Sequence, residues 1–241
     1  MNPIMRVLTV LFAAPMLVFA ATGCESLMVL LFGVGVEETV MVPEETRPVY
    51  EMNANFRLAD GGFVLGTPNA PITIVVFADF LCPHCQRYEP TIEQVIQEYV
   101  PLGMARVEFR MLPTQGEASN DLFRLAECID DYDKTNFWMA QRLIYDLIAE
   151  GVSASDIGVE AALSLKISYK NLRACVDNLA EHNAGQYLAD SEVSRSLGVS
   201  GAPTIMMRFG GPEAPIESSS NTQPSFEDLS DIILAANAPG V

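Results

Sequence analysis

Two cysteines separated by two residues, in Cys82-Pro83-His84-Cys85, constrain this chain more than any other feature. The run from Ile72 to Phe77 before them is apolar, rich in β-branched residues and preceded by turn residues, a pattern typical of a strand buried on both faces. From Pro83 to Tyr99, apolar residues recur at helical spacing. The two thiols are therefore predicted at the start of a helix, one turn apart and within disulfide distance.

A Cys-x-x-Cys pair occurs in zinc sites as well as in redox dithiols, so its chemistry depends on the rest of the chain. A structural zinc site needs four ligands. Cys128 and Cys175 are isolated in the sequence, and the chain has only two histidines. His182 has no histidine or cysteine at ligand spacing. We therefore expect no metal and no cofactor, and we interpret Cys82 and Cys85 as a redox pair.

The start of a helix favours a reactive thiolate at Cys82, because unsatisfied backbone N–H groups and the positive end of the helix dipole meet there. Pro83 suits the first helical turn, where its missing N–H costs no hydrogen bond. His84 is either a polar surface residue or a group that donates a hydrogen bond and positive charge to the thiolate. In the second case it stabilises the reduced dithiol, which favours disulfide donation over reduction.

The rest of the chain predicts an α/β fold, a sheet with helices on its faces. In chain order, the further elements are a strand over 106–112, several helices over 117–197, a strand over 204–209, a short return strand over 214–217 and a closing amphipathic helix over 226–236. Ser225 is expected to cap the last helix, with Asp228 in the capping-box position. Without the helical block, the order is β-α-β followed by β-β-α.

Four segments of the chain carry a family resemblance. They are residues 66–85, which contain both cysteines, Leu112-Pro113, Phe137-Trp138, and the stretch from Gly198 to Thr204. In combination they resemble the DsbA-like family of bacterial extracytoplasmic oxidoreductases. The resemblance extends from about residue 63 to the C-terminus. It implies a thioredoxin-like fold with an inserted helical subdomain at about 115–197, and activity as a thiol–disulfide oxidoreductase.

The same resemblance assigns roles to four residues. Cys82 would be the exposed nucleophile and Cys85 the buried resolving cysteine. Pro203 would be a cis-proline facing the disulfide, where it contributes no backbone N–H. Ala202 would pair its backbone with an extended segment of a substrate protein.

Two positions depart from the family pattern. Ala202 stands where threonine or valine usually precedes the proline, which leaves the redox potential open. Val76 stands six residues before the first cysteine, where some members carry a buried acid that relays protons to the resolving cysteine. Asp79 is the nearest carboxylate in sequence, and it is either a substitute proton relay or a loop-capping aspartate.

The N-terminal segment predicts export. Arg6 is the only charged side chain before Glu25, and Val7 to Ala21 is almost wholly apolar, which is the pattern of a signal peptide. The small residues that follow, ending in Cys24, resemble a lipobox that would leave this cysteine lipidated. The alternatives are one uncleaved anchor helix over 7–36 and a cleaved soluble product.

These observations predict three regions and a location. Residues 1–23 are expected to be a signal peptide, 24–62 a tether, and 63–241 the folded domain. The domain would be extracytoplasmic and membrane-anchored, in the bacterial periplasm or at the cell surface. In an oxidising compartment Cys128 and Cys175 could form a structural disulfide, and the alternative is that each is a small buried side chain.

Charge limits the partners that the chain can bind. The formal net charge is −17, from 14 basic and 31 acidic residues, so nucleic acid is not expected as a partner. We expect the protein to oxidise dithiols of exported proteins and to be re-oxidised by a membrane partner. A reductase or isomerase on the same fold, and a tethered binding module or holdase with a vestigial dithiol, are the alternatives.

Overall fold

The structure is a computed structural model, and it describes residues 50, 53–132, 136–218 and 222–238. The predictions of a signal peptide over 1–23, of lipidation at Cys24 and of an anchor helix over 7–36 concern residues outside these ranges. They stay predictions.

A mixed sheet of six strands organises the described part of the chain. The strands are β1 (Asn55–Arg57), β2 (Phe63–Leu65), β3 (Ile72–Ala78), β4 (Arg106–Met111), β5 (Thr204–Phe209) and β6 (Glu217–Ser218). Their order across the sheet is β1-β2-β4-β3-β5-β6. Strands β3 and β4 are parallel, and the other neighbouring pairs are antiparallel. Every residue of β3 is buried, as its apolar sequence predicts.

The described ranges contain seven helices. They are α1 (Pro83–Tyr99), α2 (Glu117–Asp130), α3 (Phe137–Ala149), α4 (Ile157–Leu165), α5 (Tyr169–Glu181), α6 (Gln186–Ser196) and α7 (Phe226–Ala236). Helices α2 to α6 lie between β4 and β5 in the chain, so the predicted α/β fold with a helical insertion is confirmed. The predicted capping box of Ser225 and Asp228 is present at the start of α7.

The sheet begins inside the segment predicted to be a tether. Strand β1 pairs with β2, and the turn between them is closed by a hydrogen bond of 2.9 Å from Leu58 N to Gly62 O. The ring of Phe63 then stacks on Phe137 of α3, with 3.8 Å between centroids. Strand β1 has only three residues, two of them exposed, so its sequence shows no apolar alternation that would predict a strand.

The polar face of β4 is buried and ionic. Arg110 lies 2.6 Å from a carboxylate oxygen of Glu108, 3.0 Å from Asp190 of α6 and 2.9 Å from Asp60. Arg208 of β5 pairs with the other oxygen of Glu108 at 2.8 Å. Burying these charges is tolerable because each one faces an opposite charge. The other face of β4 packs into the apolar core.

The helical insertion is held together by a disulfide between Cys128 of α2 and Cys175 of α5. Their Cα atoms are 6.0 Å apart, and their separation in sequence is 47 residues. A cross-link over such a loop contributes about 4 kcal/mol by restricting the unfolded chain. The structure thus places these two cysteines in the pairing expected for an oxidising compartment.

The buried ion network predicts a large loss of stability when its central cation is removed. Arg110→Met leaves Glu108 and Asp190 buried without their shared partner, so the free energy of unfolding should fall by about 3–5 kcal/mol. Arg173→Met is the matched control, because Arg173 pairs with Asp177 on the surface and its side chain is 60% exposed. That variant should lose less than about 1 kcal/mol in urea unfolding. Equal losses in the two variants would contradict the central role of Arg110.

Candidate active site

Cys82 occupies the junction between β3 and α1. Its backbone N–H donates to Asp79 O at 3.1 Å, and its carbonyl accepts from Gln86 N at 3.0 Å. The residue has extended backbone angles at the N-cap, and Pro83 follows as the first helical residue. The Cys82 sulfur therefore lies at the positive end of the α1 dipole, where negative charge is stabilised. Both Cys82 and Cys85 are free thiols in this structure.

The loop before β5 covers the Cys82 sulfur. The Ala202–Pro203 peptide bond is cis, and the thiol of Cys82 donates to Ala202 O at 3.3 Å. The family resemblance implied an exposed Cys82, whereas only 5% of its surface is exposed here. The expectation of an exposed nucleophile was wrong for this structure, because the carbonyl of Ala202 packs directly against the sulfur.

Cys85 lies one turn into α1 and is 2% exposed. The backbone N–H of Asp79 donates to its sulfur at 3.4 Å. Burial raises the pKa of the Cys85 thiol well above its ordinary value, against the opposing effect of the Asp79 hydrogen bond. Cys85 therefore holds its proton at neutral pH, and any step that needs its thiolate needs a base.

Residues 59–219 match the family model described as Thioredoxin, which is more than half of the chain. The chain belongs to the thioredoxin family. Disulfide bond formation protein D of Bacillus subtilis is 27% identical to it over 147 residues, covering 59% of this chain and 65% of that protein. The match thus spans slightly less than two thirds of that relative's length.

Two solved structures show the same fold as this thioredoxin-family chain. BdbD from Bacillus subtilis in its oxidised form has a TM-score of 0.58 at 20% identity, over 72% of this chain and 91% of that one. Wolbachia pipientis alpha-DsbA1 has a TM-score of 0.62 at 16% identity, over 75% of this chain and 93% of that one. Together with the family match, they confirm the thioredoxin-like fold that the sequence motifs predicted.

His84 is exposed at the first turn of α1, in contact with a cation that the sequence reasoning missed. Arg87 donates from Nη2 to His84 Nδ1 at 2.9 Å. Because a guanidinium keeps its charge and only donates, the accepting Nδ1 leaves the ring proton on Nε2. The i, i+3 spacing of the two residues could have indicated this contact. Arg87 thus places a positive charge beside His84.

Asp79 is fully buried, and its carboxylate holds the surrounding loops. One oxygen accepts from Leu81 N at 3.0 Å, and the other accepts from Thr114 N at 2.6 Å and from Ser119 Oγ at 2.9 Å. These contacts join the end of β3 to the segment that leads into α2. They support the loop-capping interpretation, and a proton-relay role for Asp79 stays a prediction.

Glu89 is a second buried acid near the cysteines, and it was not among the predicted site residues. It lies one turn after Cys85 on the same face of α1, and Gln141 Nε2 of α3 donates to its carboxylate at 3.3 Å. Burial, with a further contribution from the charge of Glu93, raises the pKa of Glu89 to about 8. The sequence did contain a signal, because positions 85, 89, 92 and 96 share the helix face that packs on the core.

In the described ranges, no group of three or more His, Cys, Asp or Glu side chains is arranged to hold a metal ion. No helix in these ranges has both the length and the apolar character needed to cross a membrane.

The raised pKa of Glu89 predicts a pH-dependent loss of stability. The folded protein holds this proton up to about pH 8, whereas an ordinary glutamate releases it near 4.5. Because the folded state binds more protons in that window, the free energy of unfolding should fall as pH rises through it. Glu89→Gln removes the effect, so urea unfolding should show a decline smaller by on the order of 3–5 kcal/mol. Parallel curves for the two proteins would contradict the assignment.

Proposed function

We propose that this chain is an extracytoplasmic thiol–disulfide oxidoreductase that oxidises dithiols of exported proteins through Cys82 and Cys85. The observation that carries the proposal is the placement of Cys82 at the N-terminus of α1, 3.3 Å from the Ala202 carbonyl beside Pro203. The buried Cys85 lies one turn below it. The name of the Bacillus subtilis relative, Disulfide bond formation protein D, supports the same direction of electron flow.

The reaction starts from the oxidised site. A substrate thiolate attacks the sulfur of Cys82, the Cys82–Cys85 bond breaks, and its electron pair leaves on Cys85, which takes up a proton. A second substrate thiolate then attacks the substrate sulfur of the mixed disulfide. The substrate disulfide forms, and Cys82 leaves as a thiolate that the helix N-terminus stabilises.

Ala202 and Pro203 position the substrate in this scheme. A proline contributes no N–H, so the backbone of Ala202 is the group next to Cys82 that can pair with an extended peptide. In the reduced form described here, the Ala202 carbonyl accepts from the Cys82 thiol. An incoming peptide strand at the same loop would therefore lie directly beside the reacting sulfur.

Turnover requires a disulfide donor that re-oxidises the pair, and we assign this role to a membrane partner. Export by the segment 1–23, with an anchor at Cys24 or over 7–36, would place the enzyme near such a partner. The disulfide between Cys128 and Cys175 supports an oxidising compartment.

Replacing each cysteine should have a different effect. Cys82→Ser removes the nucleophile and should abolish oxidation of a reduced test protein, measured by the loss of its free thiols. Cys85→Ser keeps the nucleophile and lacks the resolving thiol, so it should accumulate mixed disulfides that non-reducing electrophoresis detects. Full oxidising activity of the Cys82→Ser variant would refute the proposal.

The direction of electron flow is tested by the reduction potential of the full chain in glutathione buffers. An oxidase should lie nearer to about −120 mV than to about −270 mV, and the second value would favour the reductase alternative. His84→Ser should make the potential more negative, because it removes a group that stabilises the reduced dithiol. A tenfold change in the equilibrium constant corresponds to about 30 mV.

Arg87→Gln serves as the companion variant for His84→Ser. It keeps the histidine but removes the charge that donates to His84 Nδ1. We expect a smaller shift in the same direction. Unchanged potentials in both variants would show that these two side chains do not set the direction of electron flow.

A further inference from the structure

Two cavities meet at the side chain of Glu89. The inner one, of about 10 Å³, is lined by Cys85, Glu89, Gln141 and Tyr145 among apolar neighbours. Its volume suits a single water molecule. The outer one, of about 200 Å³, is lined by Glu89 and Tyr145 together with the exposed residues Pro90 and Ala149. Glu89 is therefore common to the cavity that Cys85 lines and to one that reaches the surface.

We propose that Glu89 is the proton relay of this site, moving a proton between the sulfur of Cys85 and solvent in the outer cavity. The inference rests on the redox role proposed above for Cys82 and Cys85. It gives Glu89 of α1 the proton-relay role for which the sequence offered Asp79 as a candidate, with loop capping as the alternative. The buried Asp79 carboxylate already accepts five hydrogen bonds, from the groups Leu81 N, Thr114 N, Thr114 Oγ1, Gln115 N and Ser119 Oγ.

The surroundings of Glu89 allow both of its protonation states. Gln141 donates to the carboxylate, while its own Oε1 is buried without a hydrogen-bond partner among the described residues. Since an amide carries donors and an acceptor, the same side chain can accept from a protonated Glu89 after the amide rotates. A relay needs such a partner, because the protonated and the charged forms of its carboxyl group must have similar free energies.

The charged groups around Glu89 come from α1 and α3. Glu93 lies one turn further along α1, and Arg142 and Asp146 face it from α3. Glu93 and Asp146 favour the protonated carboxyl, and Arg142 favours the charged form. On the sheet side, β3 and β4 contribute apolar side chains to the inner cavity, and Cys85 is the thiol that lines it together with Glu89.

The relay acts once in each half of the cycle. When the Cys82–Cys85 bond is broken, Cys85 leaves with the electron pair and takes the proton of the Glu89 carboxyl, which is then replenished from the outer cavity. During re-oxidation, Cys82 forms a mixed disulfide with a disulfide donor. The Glu89 carboxylate removes the Cys85 proton, the Cys85 thiolate attacks the Cys82 sulfur, and the donor leaves as a thiolate.

The test measures how the rate of intramolecular disulfide formation depends on pH. The full chain, reduced at its Cys82–Cys85 pair, is mixed with oxidised glutathione and quenched with acid, and mass spectrometry follows the conversion of the mixed disulfide into the intramolecular disulfide. In the wild type, the closing rate should rise with pH and level off above about pH 8, where Glu89 is mostly charged. In Glu89→Gln it should be slower below that pH by about tenfold to a hundredfold, and should keep rising without levelling off.

Glu93→Gln is the matched control, an acid on the same helix that does not line the inner cavity. Because the charge of Glu93 raises the pKa of Glu89, this variant should keep the levelling and move it to lower pH. Glu89→Asp should restore part of the lost rate, since it restores a carboxylate. Near-ultraviolet circular dichroism checks that each variant has the wild-type fold.

Identical pH profiles of the wild type and Glu89→Gln would overturn the relay and leave the oxidoreductase function standing. Loss of the levelling in Glu93→Gln but not in Glu89→Gln would also overturn it. If the wild type forms a mixed disulfide but never closes it, or does not react with glutathione at all, both the relay and the proposed function fail.

Discussion

The antiparallel pairing of β3 with β5 is the constraint on which the site depends. Its register runs from Ile72 opposite Phe209 to Phe77 opposite Thr204, so it ends where β3 gives way to the cysteine motif. The residues just before Thr204 must therefore lie beside those just after Phe77. This is why Ala202 and Cys82, 120 positions apart in the chain, come within 3.3 Å. A slip of one residue would move the side chains of one strand to the opposite face of the sheet.

The two cysteines differ because the same helix gives them opposite environments. Cys82 has the unsatisfied N–H groups of the first turn and a carbonyl at its sulfur, whereas Cys85 points into the core. Burial thus opposes charge on Cys85, whereas Cys82 lies at the positive end of the α1 dipole. In the proposed reaction, that asymmetry makes Cys82 the sulfur that reacts with the substrate and Cys85 the thiol that needs a base. The proposed reaction therefore depends on how protons reach the buried sulfur of Cys85, which the Cys-x-x-Cys motif by itself does not indicate.

Patterns of neighbouring residues predicted the strands, helices and caps that neighbouring residues determine. The strand over 72–77, the helix from Pro83 to Tyr99 and the Ser225 capping box agree with the structure. What the sequence could not predict depends on distant partners. The alternation in β4 normally marks a solvated face, yet Arg110 is buried because Asp190 and Glu108 surround it. Likewise, β1 exists because β2 pairs with it, although its own residues resemble a tether.

A buried acid beside Cys85 can be supplied by either of two elements, the strand β3 or the helix α1. Val76 of β3 and Glu89 of α1 line the same small cavity beside Cys85. An acid at position 76 would enter that cavity from the strand, whereas Glu89 enters it from the helix. The cavity has room for about one water molecule, so a second carboxylate there would meet like charge and heavy desolvation. If the acid is on the helix, the residue at position 76 of the strand should therefore be apolar. Val76 meets this condition and is consistent with a relay at Glu89.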